Sequence, residues 1–577
     1  MNIFDMLKQQ ISKIAEDKFS YSPNQNHLSV ELPKDSSHGD LSTNVAMIMA
    51  KYLNKSPMEI ASLIKQEIEK IAYVESAQVA APGFINLNLK KEVWSEILAE
   101  ILKLGDNFGD NNLGGDEKIN IEFLSTNPTG PMHIGHSRCA IYGDALANLM
   151  IKSGYRVTKE FYINDAGAQI TALAKSSYIR YLEASGEKIG EIPEGLYPGD
   201  YLVPVGEELF KTYGNSLKDM KEEDRLEIVK ELAVSSMMEL IKSDLKKLGV
   251  VYDVYFSEKK LHQEKKIENI INKLQQRDII YNGVLPPPKG KMNDDWEPRE
   301  QLLLRTTEFG DDVDRSMQKA NGEWTYAAAD VAYMENKIER GFKKITMVLG
   351  ADHLGYKKRM QATAFALAGD EVEFEIKFCQ LVSFLKNGQP LKMSKRLGTF
   401  ITVEDVLEEV DKDLVRFMML TRRNDQVLDF DLEKVKEQSK DNPAFYVQYV
   451  NARVNSILNI ANQETPEYIN RLNNGLYDLS LLDREEELFL IKMMASWPKI
   501  VELSCIHQEP HRIAFFLIEF ASHFHSFWSK GNEDPTLRFI LENDIERTLS
   551  RLALAKAITV IISSGLKIFN VLPIKKM

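Results

Sequence analysis

The N-terminal stretch MNIFDMLKQQISKIAEDKF alternates apolar and charged residues at helical spacing, which predicts a folded helix. Helical patterns return at 41–53 and 57–71, and short extended runs at 77–79 and 84–89 flank a Pro82-Gly83 turn. Residues 1–110 therefore read as a small α/β module. The run GDNFGDNNLGG at 105–115 is turn-rich and lacks apolar periodicity, as a linker does. From Lys118 the pattern changes. Ile119, Ile121 and Phe123 alternate as in a strand, 125–136 carries Pro128, Gly130, Pro131 and Gly135, and Ala140, Ile141, Ala145, Leu146 and Leu149 follow at helical spacing. Residues 155–163 read as the next strand. A strand that feeds a Gly-rich turn and then a helix opens a doubly wound parallel sheet. Long helical stretches are expected over about 165–275, the run LPPPKG at 285–290 is a stiff connector, and a strand at 344–349 resumes the sheet. From about Thr402 to the end the pattern is almost wholly helical, which predicts a separate bundle.

Composition narrows this picture by exclusion. With 44% hydrophobic and 27% charged residues in 577, the chain has the balance of a multidomain globular protein and not of a disordered one. Its 3 cysteines, Cys139, Cys379 and Cys505, are scattered without a C-x-x-C pair, so neither a disulfide scaffold nor a structural zinc site is expected, and a reducing, cytoplasmic setting is. His507, His511, His523 and His525 lack carboxylates or cysteines at ligand spacing, so no metal site is expected there either. No signal peptide is expected at the N-terminus, and the apolar stretch 552–569 is interrupted by Lys556 and Lys567, so it reads as a packed helix, with no membrane span. A net charge of −13 leaves nucleic-acid binding to local patches, because phosphate contacts need clustered Lys and Arg.

Two clusters carry the candidate chemistry. His133-Ile134-Gly135-His136 stands where the first strand turns into its helix, a position where backbone N–H groups favour phosphate and two imidazoles can donate to phosphoryl oxygens. Lys392-Met393-Ser394-Lys395-Arg396 puts three cations and a hydroxyl in one short run, the means to neutralise a leaving pyrophosphate. Each alone is a weak signal, and a surface loop is the competing reading for both. Together they resemble the two signature sequences of class I aminoacyl-tRNA synthetases.

Longer stretches narrow the family. IEFLSTNPTGPMH at 121–133, YINDAGAQ at 162–169, TYAAAD at 325–330, 442–453 and SHGDLSTN at 37–44 closely resemble the arginyl-tRNA synthetases, and the similarity spans the chain. A guanidinium is planar, permanently charged and rich in donors, so its pocket needs oriented carboxylates. The resemblance implies that Glu122, Tyr326 and Asp330 surround the substrate guanidinium, with Ser125 beside them and Asn127 near the α-amino group. It places Gly130, Gly135, Gly350, Asp352, His353, Met393, Ser394 and Arg396 around ATP, with His133, His136, Lys392 and Lys395 as the catalytic set. For His353 a helix-capping role competes. Phe84 and Asn86 are implied to meet the tRNA elbow, where an ordinary strand with a buried Phe is the alternative. Tyr446, Asn451 and Arg453 are implied to lie under the anticodon stem, where core packing competes for the tyrosine.

The expected fold is thus multidomain α/β plus all-α: an elbow-binding N-terminal domain (1–110), a Rossmann-like catalytic domain with insertions (116–400) and a helical anticodon-binding domain (401–577). The expected partners are L-arginine, cognate tRNA and ATP with Mg2+, and the expected state is a monomer. The family resemblance also implies that tRNA must be bound before arginine is activated, though the intact second signature leaves the strictness of that requirement open. A class I lysyl enzyme is disfavoured by the S-x-H-G-D module, and the enzymes that edit Ile, Val or Leu by the roughly 250 residues between the signatures, too few for an editing domain. A small nucleotidyltransferase is disfavoured by length, and a non-catalytic paralogue by the intact signatures.

Overall fold

The computed structural model describes residues 2–33, 35–286, 298–391 and 401–576. Contacts divide the chain into two units, one built from Met1–Asn111 with Gln438–Met577 and the other from Asn112–Glu437.

The first unit begins with α1 (Ile3–Phe19), β1 (Val30–Glu31), β2 (Leu41–Thr43), α2 (Val45–Leu53), α3 (Pro57–Ile68), β3 (Val74–Ala80), β4 (Phe84–Leu89) and α4 (Lys91–Leu104). The four strands form one sheet in the order β1-β2-β4-β3. Leu41–Thr43, expected as the first turn of a helix, is instead a strand: Leu41 and Thr43 are buried while Ser42 is half-buried, and all three pair with β4. Ser56 and Glu59 close a capping box at the start of α3, satisfying N–H groups that the helix itself leaves unpaired.

The second unit continues with β5 (Lys118–Phe123), α5 (Ser137–Lys152), β6 (Arg156–Ile163), α6 (Ala168–Ala184), α7 (Val203–Tyr213), α8 (Ser216–Asp219), α9 (Glu222–Lys247), β7 (Val254–Ser257), α10 (Glu258–Gln263), α11 (Lys266–Gln276), β8 (Ile280–Val284), β9 (Glu300–Leu304) and β10 (Arg315–Ser316). It closes with α12 (Tyr326–Glu339), β11 (Lys344–Gly350), α13 (Tyr356–Ala368), β12 (Glu373–Cys379), β13 (Val382–Lys386), β14 (Gln389–Pro390), α14 (Val403–Glu409), α15 (Lys412–Met419), β15 (Leu428–Asp431) and α16 (Leu432–Lys436). Strands β12-β11-β5-β6-β7 make an all-parallel sheet. β5 is its topological hinge: the chain leaves it toward β6 and β7 on one side, then returns to β11 and β12 on the other. Such a switch point opens a crevice at the carboxyl ends of β5 and β11, where ligands of doubly wound sheets bind.

Two differences from the sequence reading have a common cause. β7 interrupts the stretch expected to be helical because four residues suffice to extend the sheet beside β6, too few to show a period. Residues 402–437 belong to this unit and not to the C-terminal bundle, because β15 pairs in parallel with β13 and Arg416 is buried against Asp144 of α5. The division between the two compact units therefore falls after Glu437.

Returning to the first unit, α17 (Pro443–Glu464), α18 (Pro466–Asn473), α19 (Glu485–His507), α20 (His511–Glu533) and α21 (Ile545–Ile568) form the bundle. It packs with the N-terminal module in one unit: Lys492 is ion-paired with Asp40, and the Trp497 indole donates to the Phe108 carbonyl at 3.1 Å. Among the described residues α21 is the one helix long and apolar enough to cross a membrane; 78% of its apolar window is buried in the bundle, as in a core helix.

Candidate functional site

β5 ends in a tight turn. Leu124 has φ 70° and Ser125 φ 37°, and Ser125 N–H donates to the Phe123 carbonyl at 2.9 Å. Two successive non-glycine residues in the left-handed region store strain, which persists only where surrounding contacts over-determine it. Here they do: Ser125 Oγ donates to Glu122 Oε1 at 3.0 Å and accepts from Tyr162 N–H at 3.0 Å. The turn thereby ties the strand end to β6 and holds Glu122 in place. Asn127 accepts from Asn164 at 3.1 Å and donates to Gln169 at 2.8 Å, so the loops after β5 and β6 are cross-linked.

The loop through the first signature is pinned on three sides. Tyr201 donates to Thr129 O at 2.9 Å, and a Cβ on Gly130 would lie 3.0 Å from that tyrosine ring, which explains the glycine. Asp244 of α9 accepts from Met132 N–H at 3.1 Å; burial raises its pKa to about 6. Ile134 N–H donates to Ile401 O at 3.0 Å and Val403 N–H to Met132 O at 3.0 Å, so the chain leaving the second signature is stitched to the first by backbone bonds. The rings of His133 and His136 stack at 3.4 Å. A Cβ at Gly135 would come 2.9 Å from His133 Nδ1, so only glycine lets that imidazole lie over the turn. Lys392, Met393, Ser394, Lys395 and Arg396 lie outside the described residues.

At the end of β11, Gly350 leaves room for Asp352, whose Oδ1 would be 2.4 Å from a Cβ there. Asp352 and His353 are largely exposed and 3.4 Å apart, with His353 edge-on to Tyr356. On α12, Thr325 caps the helix, Tyr326 is 59% exposed, and Asp330 sits one turn on. Asp330 Oδ2 accepts from the Tyr356 hydroxyl and from Arg359 at 3.3 Å. Burial outweighs these partners and raises its pKa to about 6. Beside Tyr326 opens a cavity of about 820 Å3, bordered by Asp165 and Gly167, by α9, and by Glu258 and His262 of α10. Burial raises the pKa of Glu258, which the Tyr162 hydroxyl faces. Asp165, Glu227, Glu231 and Glu258 outnumber Lys230 and Lys259 along this wall, at the carboxyl ends of β6 and β7 where ligands of parallel sheets bind, which suits a cationic ligand.

Residues 97–456 match the family model for class I (R) tRNA synthetase catalytic domains, 2–89 the arginyl tRNA synthetase N terminal domain and 447–577 the DALR anticodon binding domain. The chain belongs to the arginyl-tRNA synthetase family. The arginine–tRNA ligases of Rickettsia bellii (strain OSU 85-389) and Rickettsia prowazekii (strain Madrid E) are 51% and 49% identical to it over 577 residues, the whole length of each chain. In fold it is similar to the Thermus thermophilus arginyl-tRNA synthetase, with a TM-score of 0.74 at 19% identity over 99% of this chain and 100% of that one. The enzyme is therefore a class I arginine–tRNA ligase, which joins L-arginine to its tRNA at the expense of ATP by way of arginyl-adenylate, releasing AMP and pyrophosphate.

The tRNA-facing expectations for this synthetase divide. Phe84 is 37% exposed at the start of β4, whereas Asn86 is buried and accepts from Ser42 Oγ at 2.8 Å. Asn451 is also buried and donates to the Ile574 carbonyl at 2.8 Å, holding the C-terminal segment beside Gln448. In this structure the Asn86 side-chain oxygen and the Asn451 amide group are engaged within the fold. Tyr446 and Arg453 gather around His525, whose ring accepts from Arg453 and donates to the Tyr446 carbonyl, both at 3.0 Å. Burial, aided by the Arg453 charge, lowers the His525 pKa to about 4. Between pH 6.5 and 4 the unfolded chain binds a proton that the native bundle refuses, so stability should fall by about 3 kcal/mol on acidification through that window. Urea unfolding of His525→Gln, which can keep both bonds without titrating, should lose this slope.

The sequence reading also passed over Arg138, Glu160, Lys337 and Arg340. Arg138, two residues past the first signature, is 2% exposed and donates to the carbonyls of Gln380, Arg423 and Gln426, tying α5 to the segments that precede β13 and β15. For Lys337 and Arg340 the spacing 326, 330, 333, 337, 340 was the available signal, one polar stripe along α12 that runs on into its C-cap, whereas nothing local marked Glu160 on β6.

Proposed function

We propose that Mg-ATP binds in the crevice between β5 and β11, with Gly130, Gly135, Gly350, Asp352 and His353 around the nucleotide. His133 and His136 hold phosphate oxygens, and Lys392 and Lys395, with Met393, Ser394 and Arg396 beside them, neutralise the departing pyrophosphate. Glu122, Tyr326 and Asp330 receive the guanidinium, Ser125 braces Glu122, and Asn127 meets the α-amino group. The arginine carboxylate attacks the α-phosphate, the bond to pyrophosphate breaks, and no general base is needed because the nucleophile is already ionised. A terminal ribose hydroxyl of the tRNA, the 2′-OH, then attacks the adenylate carbonyl and displaces AMP.

The observation that supports this reading is the pair of backbone bonds between 132–134 and 401–403, which keeps the exit of the second signature against the first. Phe84 in the elbow-binding module, and Tyr446 with Arg453 in the bundle, contact the tRNA, with Asn86 and Asn451 acting behind those surfaces. The catalytic module extends through residue 437, and the enzyme works as a cytoplasmic monomer.

The test is pyrophosphate exchange by Gly135→Ala. The added methyl must displace the His133 ring, and a misplacement of about 1 Å costs about 10²-fold in rate. The expected result is that loss in kcat, with the KM for arginine and the melting temperature near wild type. A rise in the KM for arginine alone would remove His133 from the phosphates.

A further inference from the structure

Glu122 and Glu160 are partners in register on the adjacent parallel strands β5 and β6, and both are buried. Strands in a sheet are about 4.8 Å apart, so two carboxylates project side by side into one low-dielectric space. Like charges so placed drive one group to take a proton unless each has its own cation. Glu160 has three donors: Arg340 at 2.6 Å, the Tyr333 hydroxyl at 2.6 Å and Asn120 at 3.0 Å. Glu122 has Ser125 on Oε1 and Lys337 on Oε2 at 2.6 Å, and Lys337 is its one cation among the described residues. Lys337 is itself buried, its ammonium 4.4 Å from the centre of the Tyr333 ring. A buried pair of this kind adds little net stability over a well-packed apolar pair, so stability alone does not account for it.

A guanidinium needs an ionised carboxylate, since a protonated one presents a donor where an acceptor is required. We infer that Lys337 is a positioning residue of the amino-acid site, keeping Glu122 ionised beside Glu160 and occupying its Oε2 so that Oε1, next to Ser125, is the edge that meets the substrate. This rests on the reading that Glu122 receives the guanidinium. The charged and titratable groups facing Glu122 are Asp330, Tyr333 and Lys337 from α12, Glu160 and Tyr162 from β6, and Tyr252 ahead of β7. Of these, Lys337 is the one that favours the ionised form.

The experiment is pyrophosphate exchange in the presence of tRNA across pH 6 to 9, with Lys337→Met, Lys337→Arg, Glu122→Gln and the double variant. Lys337→Met should raise the KM for arginine at least tenfold at pH 7, leave the KM for ATP within twofold, and close the gap as rising pH ionises Glu122. Lys337→Arg, which keeps the charge, should recover most of the loss. The double variant should match Glu122→Gln, because Lys337 acts through that carboxylate. A pH-independent loss, a wild-type KM in Lys337→Met beside an impaired Glu122→Gln, or a double variant worse than Glu122→Gln would each overturn the role of Lys337. A wild-type KM in Glu122→Gln would overturn the Glu122 reading, and this role with it. Should Lys337→Met fail to fold, Lys337→Gln, which keeps a donor toward Glu122 without the charge, carries the same comparison, with the same pH-dependent rise in the KM for arginine expected and a wild-type KM overturning the role.

Discussion

Replacing Asp330 with Asn should cut kcat/KM for arginine by about 10³, the largest functional loss expected from a change of one functional group in this enzyme. Both protein hydrogen bonds to Asp330 fall on Oδ2, from Tyr356 and Arg359. On the proposed placement of the guanidinium against Asp330, an Asn keeps the size but loses the charge and turns an acceptor into a donor toward the substrate fork. Leaving a charged partner unmatched in a buried pocket costs about 3–5 kcal/mol, and each 1.4 kcal/mol is tenfold. The pH dependence gives an independent check. With its pKa raised to about 6, Asp330 is protonated in the free enzyme below that value, and arginine must then expel the proton. The apparent affinity of wild type should therefore fall as pH drops from 6 toward 5, and this slope should vanish in Asp330→Asn. Arginine-dependent pyrophosphate exchange measures both; an unchanged kcat/KM would place the guanidinium elsewhere.

The largest stability loss is expected from Arg551→Leu in the bundle. Arg551 on α21 and Glu487 on α19 are each 0% exposed and meet at 2.6 Å, while Arg551 also donates to the carbonyls of Thr536 at 2.7 Å and Arg538 at 2.6 Å. Removing the cation leaves a buried carboxylate and two carbonyls without their donor, a loss of about 3–5 kcal/mol. For a unit of this size that lowers the melting temperature by roughly 10 °C. Adding Glu487→Leu should restore most of it, since the cost is the orphaned charge and not the missing attraction. Urea unfolding of the two variants tests this; a single-variant loss below about 1 kcal/mol would mean that water reaches Glu487.

Legibility in the sequence followed the range of the interaction. The turn after β5 was marked by its own Gly and Pro residues, because such features are set by neighbours a few residues away, whereas Tyr326 and Asp330 were singled out by the family resemblance of their stretch. β2 and β7 were missed because three or four residues show no period and become strands only when a partner edge receives them. That Asn86 and Asn451 are buried was not legible either, because burial depends on the rest of the fold and not on residue type.

Taken alone, the sequence determined the family, the two signature clusters and the alternation of sheet and bundle, since each rests on residue type and local spacing. Only the tertiary structure decided that 402–437 joins the parallel-sheet unit, that the N-terminal module and the bundle share a unit, and that Glu122 answers to Lys337, a residue 215 positions away. The reason is physical. A buried charge takes its meaning from what the fold packs against it, and in-register strands can set two carboxylates side by side in a way that no local pattern along the chain records.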